Sequence, residues 1–113
     1  MSSTATEMAY WVIALQKNDL LNEQSMTALW KPAVLNNGKT AGFNALLNGY
    51  AAGWPVIGRK DHPAVAPVGG GRAALFIYPK DNLSIIVLTN LSGAVPDSFI
   101  DELAGLFIPG MNR

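Results

Sequence analysis

The stretch Ala73-Ala74-Leu75-Phe76-Ile77-Tyr78-Pro79-Lys80-Asp81-Asn82-Leu83-Ser84-Ile85-Ile86-Val87-Leu88-Thr89-Asn90 decides the fold. Two runs rich in β-branched and aromatic residues flank four residues of turn chemistry, the pattern of an antiparallel hairpin. Pro79 presets the backbone for the turn, and Asp81 and Asn82 can bond their own backbone or accept a positive φ. Ile85, Ile86 and Val87 suit a pleated surface, and the reading places them in a central strand.

Upstream, a shorter strand is expected at 64–67. Tyr50 and Trp54 suit a half-buried strand over 49–56 better than a helix interrupted by two glycines and a proline. Asn36-Asn37-Gly38 is a turn signal, because Asn and Gly tolerate positive φ at little cost. Helical spacing governs the start: Met8, Trp11, Val12 and Leu15 share one face, and Thr4 with Glu7 forms a capping box for a helix over 5–17. Asn18-Asp19 supplies a turn, Asn22 caps a second helix containing Met26, Leu29 and Trp30, and Pro32 ends it. Past the hairpin, Pro96 and Asp97 open a terminal helix. Its inner face is read as Phe99, Ile100, Leu103, Leu106 and Phe107, with Asp97, Asp101 and Glu102 outward. The sum is one domain over 1–113 with an α+β fold: a helical hairpin, a three- to four-stranded antiparallel sheet and a C-terminal covering helix.

Half of the 113 residues are hydrophobic and 14% are charged, an apolar surplus that leaves surface for a partner. Lys plus Arg balances Asp plus Glu at 8 each, which disfavours a nucleic-acid partner. Arg59-Lys60, followed by Asp61, reads as solvated surface. With no cysteine, thiol chemistry and disulfides are excluded. No basic leader with an apolar core opens the chain and no run of about eighteen apolar residues occurs, so no membrane partner is expected. The chain reads as soluble and unexported, cytoplasmic by default.

Gly69-Gly70-Gly71-Arg72 has two readings: a flexible entry to the strand, or a backbone cradle for an anionic group with Arg72 adding charge. Arg72 is the leading candidate for contacting a ligand. His62, the only histidine, reads as a turn residue, and a histidine-rich metal site is excluded. No metal and no cofactor is expected. Trp11, Trp30, Trp54, Tyr50 and Phe43 read first as core and second as pocket lining.

Three blocks, taken in order, resemble the C-terminal portion of the β-lactamase-like serine hydrolases, the group of class C β-lactamases, DD-peptidases and related esterases. The first is Ser3-Thr4-Ala5-Thr6-Glu7-Met8-Ala9-Tyr10-Trp11, followed by Leu20-Leu21-Asn22 and by Met26, Leu29, Trp30 and Pro32. The second runs from Asn37-Gly38-Lys39 to Gly49-Tyr50-Ala51-Ala52-Gly53-Trp54. The third runs from Gly69-Gly70-Gly71-Arg72 through Tyr78-Pro79-Lys80-Asp81 to Val87-Leu88-Thr89-Asn90. The resemblance implies an acyl-enzyme on the serine of a Ser-x-x-Lys motif, assisted by a second motif with Tyr or Ser, while a third, a sheet segment of His or Lys, then Ser or Thr, then Gly, helps bind the substrate.

These 113 residues contain no Ser-x-x-Lys, and Pro67-Val68-Gly69 stands where the resemblance places that third segment. Proline carries neither charge nor a backbone donor, and valine lacks the hydroxyl. The expectation is a non-catalytic or degenerate fragment without catalytic residues of its own. A serine and a lysine would have to come from another chain, such as a complementary N-terminal hydrolase segment. Homo-oligomerisation through an exposed sheet edge or apolar face is expected; the alternative is a binding module for a small hydrophobic ligand at a dimer interface.

Overall fold

The computed structural model describes residues 3–40, 46–69 and 72–111. Two helices come first, α1 (Ala5–Gln16) and α2 (Glu23–Trp30). Thr4 caps α1 by accepting from the Glu7 amide at 3.2 Å. The Glu7 carboxylate takes the Ser3 hydroxyl at 3.4 Å, so only half of the expected capping box forms. Asn22 caps α2 through the Ser25 amide at 2.8 Å, and the helix stops before Pro32. Gly38, at φ +81°, makes the expected turn.

Six short strands follow: β1 (Gly49–Tyr50), β2 (Pro55–Ile57), β3 (Ala64–Val65), β4 (Val68–Gly69), β5 (Ala73–Tyr78) and β6 (Leu83–Leu88). They fill five positions of one antiparallel sheet, because β3 and β4 both lie along the same side of β5, interrupted at Ala66 and Pro67. The spatial order is β1, β2, β3 with β4, β5, β6. The sheet is therefore wider than the three to four strands expected. The difference arises at 49–56, read as one strand but folded as a hairpin. Its turn is closed by the Ala51 amide on the Trp54 carbonyl at 2.8 Å, with Gly53 at φ +79°.

The β5–β6 hairpin forms in full register from Ala73 opposite Leu88 to Tyr78 opposite Leu83, around a 3₁₀ turn at Pro79–Asp81 with Asn82 left-handed. Its internal order corrects the sequence reading: β5 is central, and β6, with its Ile-Ile-Val core, stands at the margin. Side chains of β5 alternate between two apolar layers, as a pleated strand must. Leu75 and Ile77 join Val12, Val56 and Val65 on the side of α1. Phe76 and Tyr78 join Ile57, Ile100, Ala104 and Ile108 on the other.

That second layer is covered by α3 (Ile100–Ala104), preceded by a 3₁₀ turn at Pro96–Ser98. The covering helix is shorter than expected and rotated from its predicted face. Ile100, Ala104 and Ile108 are buried, whereas Phe99, Leu106 and Phe107 are exposed. The rotation brings Asp101 inward, contrary to the outward placement read from its charge.

Candidate functional site

The groove that Pro67 enters lies on the α1 side of the sheet. It holds about 710 Å³ between Met8 and Trp11 of α1, Trp54 of the β1–β2 turn, Leu75 of β5, and Ile86, Leu88 and Thr89 at the end of β6. The tryptophans that read first as core divide their roles. Trp11 and Trp54 stack with centroids 6.1 Å apart and planes within 6°, and both line the groove. Trp30 meets the Trp54 ring edge-on at 5.5 Å. Phe43 lies outside the described residues.

The predicted site residues come together only in part. Val68 and Gly69 form β4, opposite Ala74 and Ala73, and half-buried Pro67 lines the groove. Gly70 and Gly71 lie outside the described residues. Arg72 is exposed, and its carbonyl accepts from both the amide and the hydroxyl of Thr89, each at 2.9 Å. Its guanidinium makes no ion pair among the described residues.

Among the described residues only two hydroxyls line the groove, and no charged side chain does. Thr89 spends its proton on the Arg72 carbonyl. Ser3 is exposed, with the Glu7 carboxylate at a long 3.4 Å. A hydroxyl needs a base within close hydrogen-bond reach to attack a carbonyl, and neither is so placed.

A second polar constellation was missed by the sequence reading. Arg59, taken for solvated surface, donates from Nη1 and Nη2 to the two oxygens of Asp101 at 2.8 Å each, and from Nε to the carbonyls of Asp61 and His62 at 3.0 Å. The Tyr78 hydroxyl donates to Asp101 Oδ1 at 2.7 Å. Burial raises the Asp101 carboxyl, but the hydrogen bonds from Arg59 and Tyr78 outweigh it and hold the group below its ordinary value. The Arg59 guanidinium is pushed up, chiefly by its bond to Asp101. Burial, and then the bond to Asp101, drives the Tyr78 phenol far above its ordinary range.

Beside this cluster His62 sits at φ +54°, the turn residue expected, but its partner is Asp81, 2.8 Å from Nδ1, and not the adjacent Asp61. A carboxylate orienting a histidine is half of a nucleophile-activating arrangement. The other half is missing, since the ring bonds no hydroxyl among the described residues. The cluster joins the β2–β3 loop, the hairpin turn and α3 at the Tyr78 end of β5, about 10 Å by strand rise from Leu75, which lines the groove. Among the described residues no group of three His, Cys, Asp or Glu side chains could hold a metal ion, and no helix is long and apolar enough to cross a membrane.

No curated protein and no solved structure matches the chain. A family model described as Beta-lactamase matches residues 1–107, nearly the whole length and all three blocks of the resemblance, and the chain belongs to the β-lactamase family.

Proposed function

We propose that this β-lactamase-family chain is not by itself a hydrolase. It acts as a degenerate, C-terminal-like portion of the family fold that associates with its own kind through an uncovered sheet margin. The observation that carries this reading is the chemistry around Pro67. The segment expected to supply a cation and a hydroxyl to substrate supplies Pro67 and Val68, and among the described residues no charged side chain lines the groove it borders. Without Ser-x-x-Lys in these residues, no side chain is equipped to hold an acyl group. The test is mass spectrometry after exposure to a fluorophosphonate and to a penicillin. The expected result is unmodified protein; a stoichiometric adduct, abolished by Ser3→Ala or any other single serine substitution, overturns the reading.

A second reading, favoured by the groove itself, is a binding site for a small apolar ligand. Its volume lies within the range of small-molecule sites, and its walls are two stacked indoles and aliphatic side chains. Exposed Arg72, anchored to Thr89 at the rim, would meet a polar end of the ligand. Medium-chain fatty acids and aryl esters, screened by thermal shift, decide it: a saturable stabilisation supports the reading, and no shift removes it.

A further inference from the structure

We propose that a second copy of the chain pairs antiparallel along β6, about a two-fold axis at Ile86. The inference rests on the self-association reading above and specifies its surface. The Thr89 amide donates to the Arg72 carbonyl, which fixes the phase of the β5–β6 ladder. Antiparallel strands alternate the direction of their backbone groups, so Val87, Ile85 and Leu83 turn theirs toward β5. Ser84, Ile86 and Leu88 consequently direct their N–H and C=O groups away from the sheet, where no backbone partner meets them among the described residues.

The sequence of β6, Leu-Ser-Ile-Ile-Val-Leu, has none of the devices that blunt an open margin, neither lysine, proline nor any charge. A two-fold through Ile86 sets Ile86 opposite Ile86 and Ser84 opposite Leu88, satisfies all six outward groups of each copy, and places no like charges across the seam. Pairing of a surface with itself in this way closes the assembly at two chains.

Helix α1 supplies an independent argument for a second copy as the occupant. Ser84 donates to Gln16 at 3.3 Å, and Trp11 stacks on Trp54 toward the interior strands, so the opposite flank of α1 overhangs the open margin. Helical spacing puts Ala9, Ile13 and Gln16 there, with Thr6, Tyr10 and Lys17 farther round on the outer face. Ile13 is 45% exposed, and this flank carries no charge. The same two-fold brings this flank against its own copy, an uncharged surface meeting an uncharged surface.

The absence of cysteine makes the test direct. Opposed residues of a hydrogen-bonded antiparallel pair stand about 5.5 Å apart at Cα, within disulfide range. Ile86→Cys is expected to form a disulfide-linked dimer under mild oxidation, while Leu106→Cys, on the α3 side, is not. Ser84→Pro removes an outward backbone donor and also the hydroxyl bond to Gln16, which Ser84→Ala removes alone. Measured against Ser84→Ala, it should retain the circular dichroism and weaken dimerisation by about tenfold or more in light scattering. A dimer unaffected by Ser84→Pro, or an Ile86→Cys chain that fails to cross-link, overturns this seam and leaves self-association standing. A strictly monomeric parent chain at high concentration overturns both.

Discussion

Arg59 holds Asp101 with two parallel hydrogen bonds of 2.8 Å across 42 residues of sequence, tying the loop between β2 and β3 to the helix over the opposite end of the chain. The Tyr78 hydroxyl, rising from the central strand, completes the grip on the same carboxylate. Removing the charge while keeping the shape, as in Asp101→Asn, leaves the guanidinium facing a donor. The expected cost is about 2 kcal/mol, a fall in Tm on the order of 10 °C. The pH dependence follows from the lowered carboxyl of the folded state. Its stabilisation is present above the unfolded value, near 4, and is lost as pH falls through the folded one. The gap between parent and variant should stay level from about pH 7 to 5 and close below about pH 4 in denaturant titrations.

Tyr78 makes the opposite prediction at the alkaline end. Its phenol is raised by burial and by the bond to Asp101, so its contribution holds below the ordinary tyrosine value and is lost only as pH rises through the higher folded one. Ultraviolet titration should find one of the three tyrosines yielding phenolate only as the protein unfolds, and Tyr78→Phe should abolish that late component. The same variant should lose about 1 kcal/mol at neutral pH.

Val95 is held at φ +46° and ψ +61°, a left-handed conformation that a β-branched residue adopts only under strain. The turn persists because the Val95 carbonyl accepts both the amide and the hydroxyl of Ser98, at 3.0 and 2.7 Å. Val95→Asn keeps those bonds and relieves the backbone. A gain of about 1 kcal/mol, or a rise in Tm of about 4 °C or more, is expected by differential scanning calorimetry.

Trp54 stands between the other two indoles, and Trp54→Ala removes one wall of the groove. Losing a partly buried ring is expected to cost about 3 kcal/mol. If the groove takes an apolar ligand, ligand-induced quenching of tryptophan fluorescence should disappear in this variant at temperatures where circular dichroism shows it folded.

The sequence reveals what is local. The β5–β6 hairpin, both N-terminal helices with their Thr4 and Asn22 caps, and the Gly38 turn each follow from residues within a few positions of one another. The inward turn of Asp101 depends on partners at positions 59 and 78, and helical spacing with a charged side chain argued for the opposite face. The rank of β6 was illegible for a related reason: a strand covered on both faces is apolar at a margin as much as at the centre, and only long-range pairing separates the two. At the candidate site, the apolar character of Pro67 and Val68 was plain from the sequence. The stacking of Trp11 on Trp54 required the tertiary arrangement.

Because β2, β3, β5 and β6 each send side chains into both apolar layers, with β5 at the centre, the two halves of the interior cannot come apart in sequence. Lifting α1 loosens Leu75 and Ile77, and with them the backbone that holds Phe76 and Tyr78 beneath α3. Denaturation should therefore be a single event, with the amides of Leu75, Phe76 and Ile77 the slowest in the chain to exchange with deuterium.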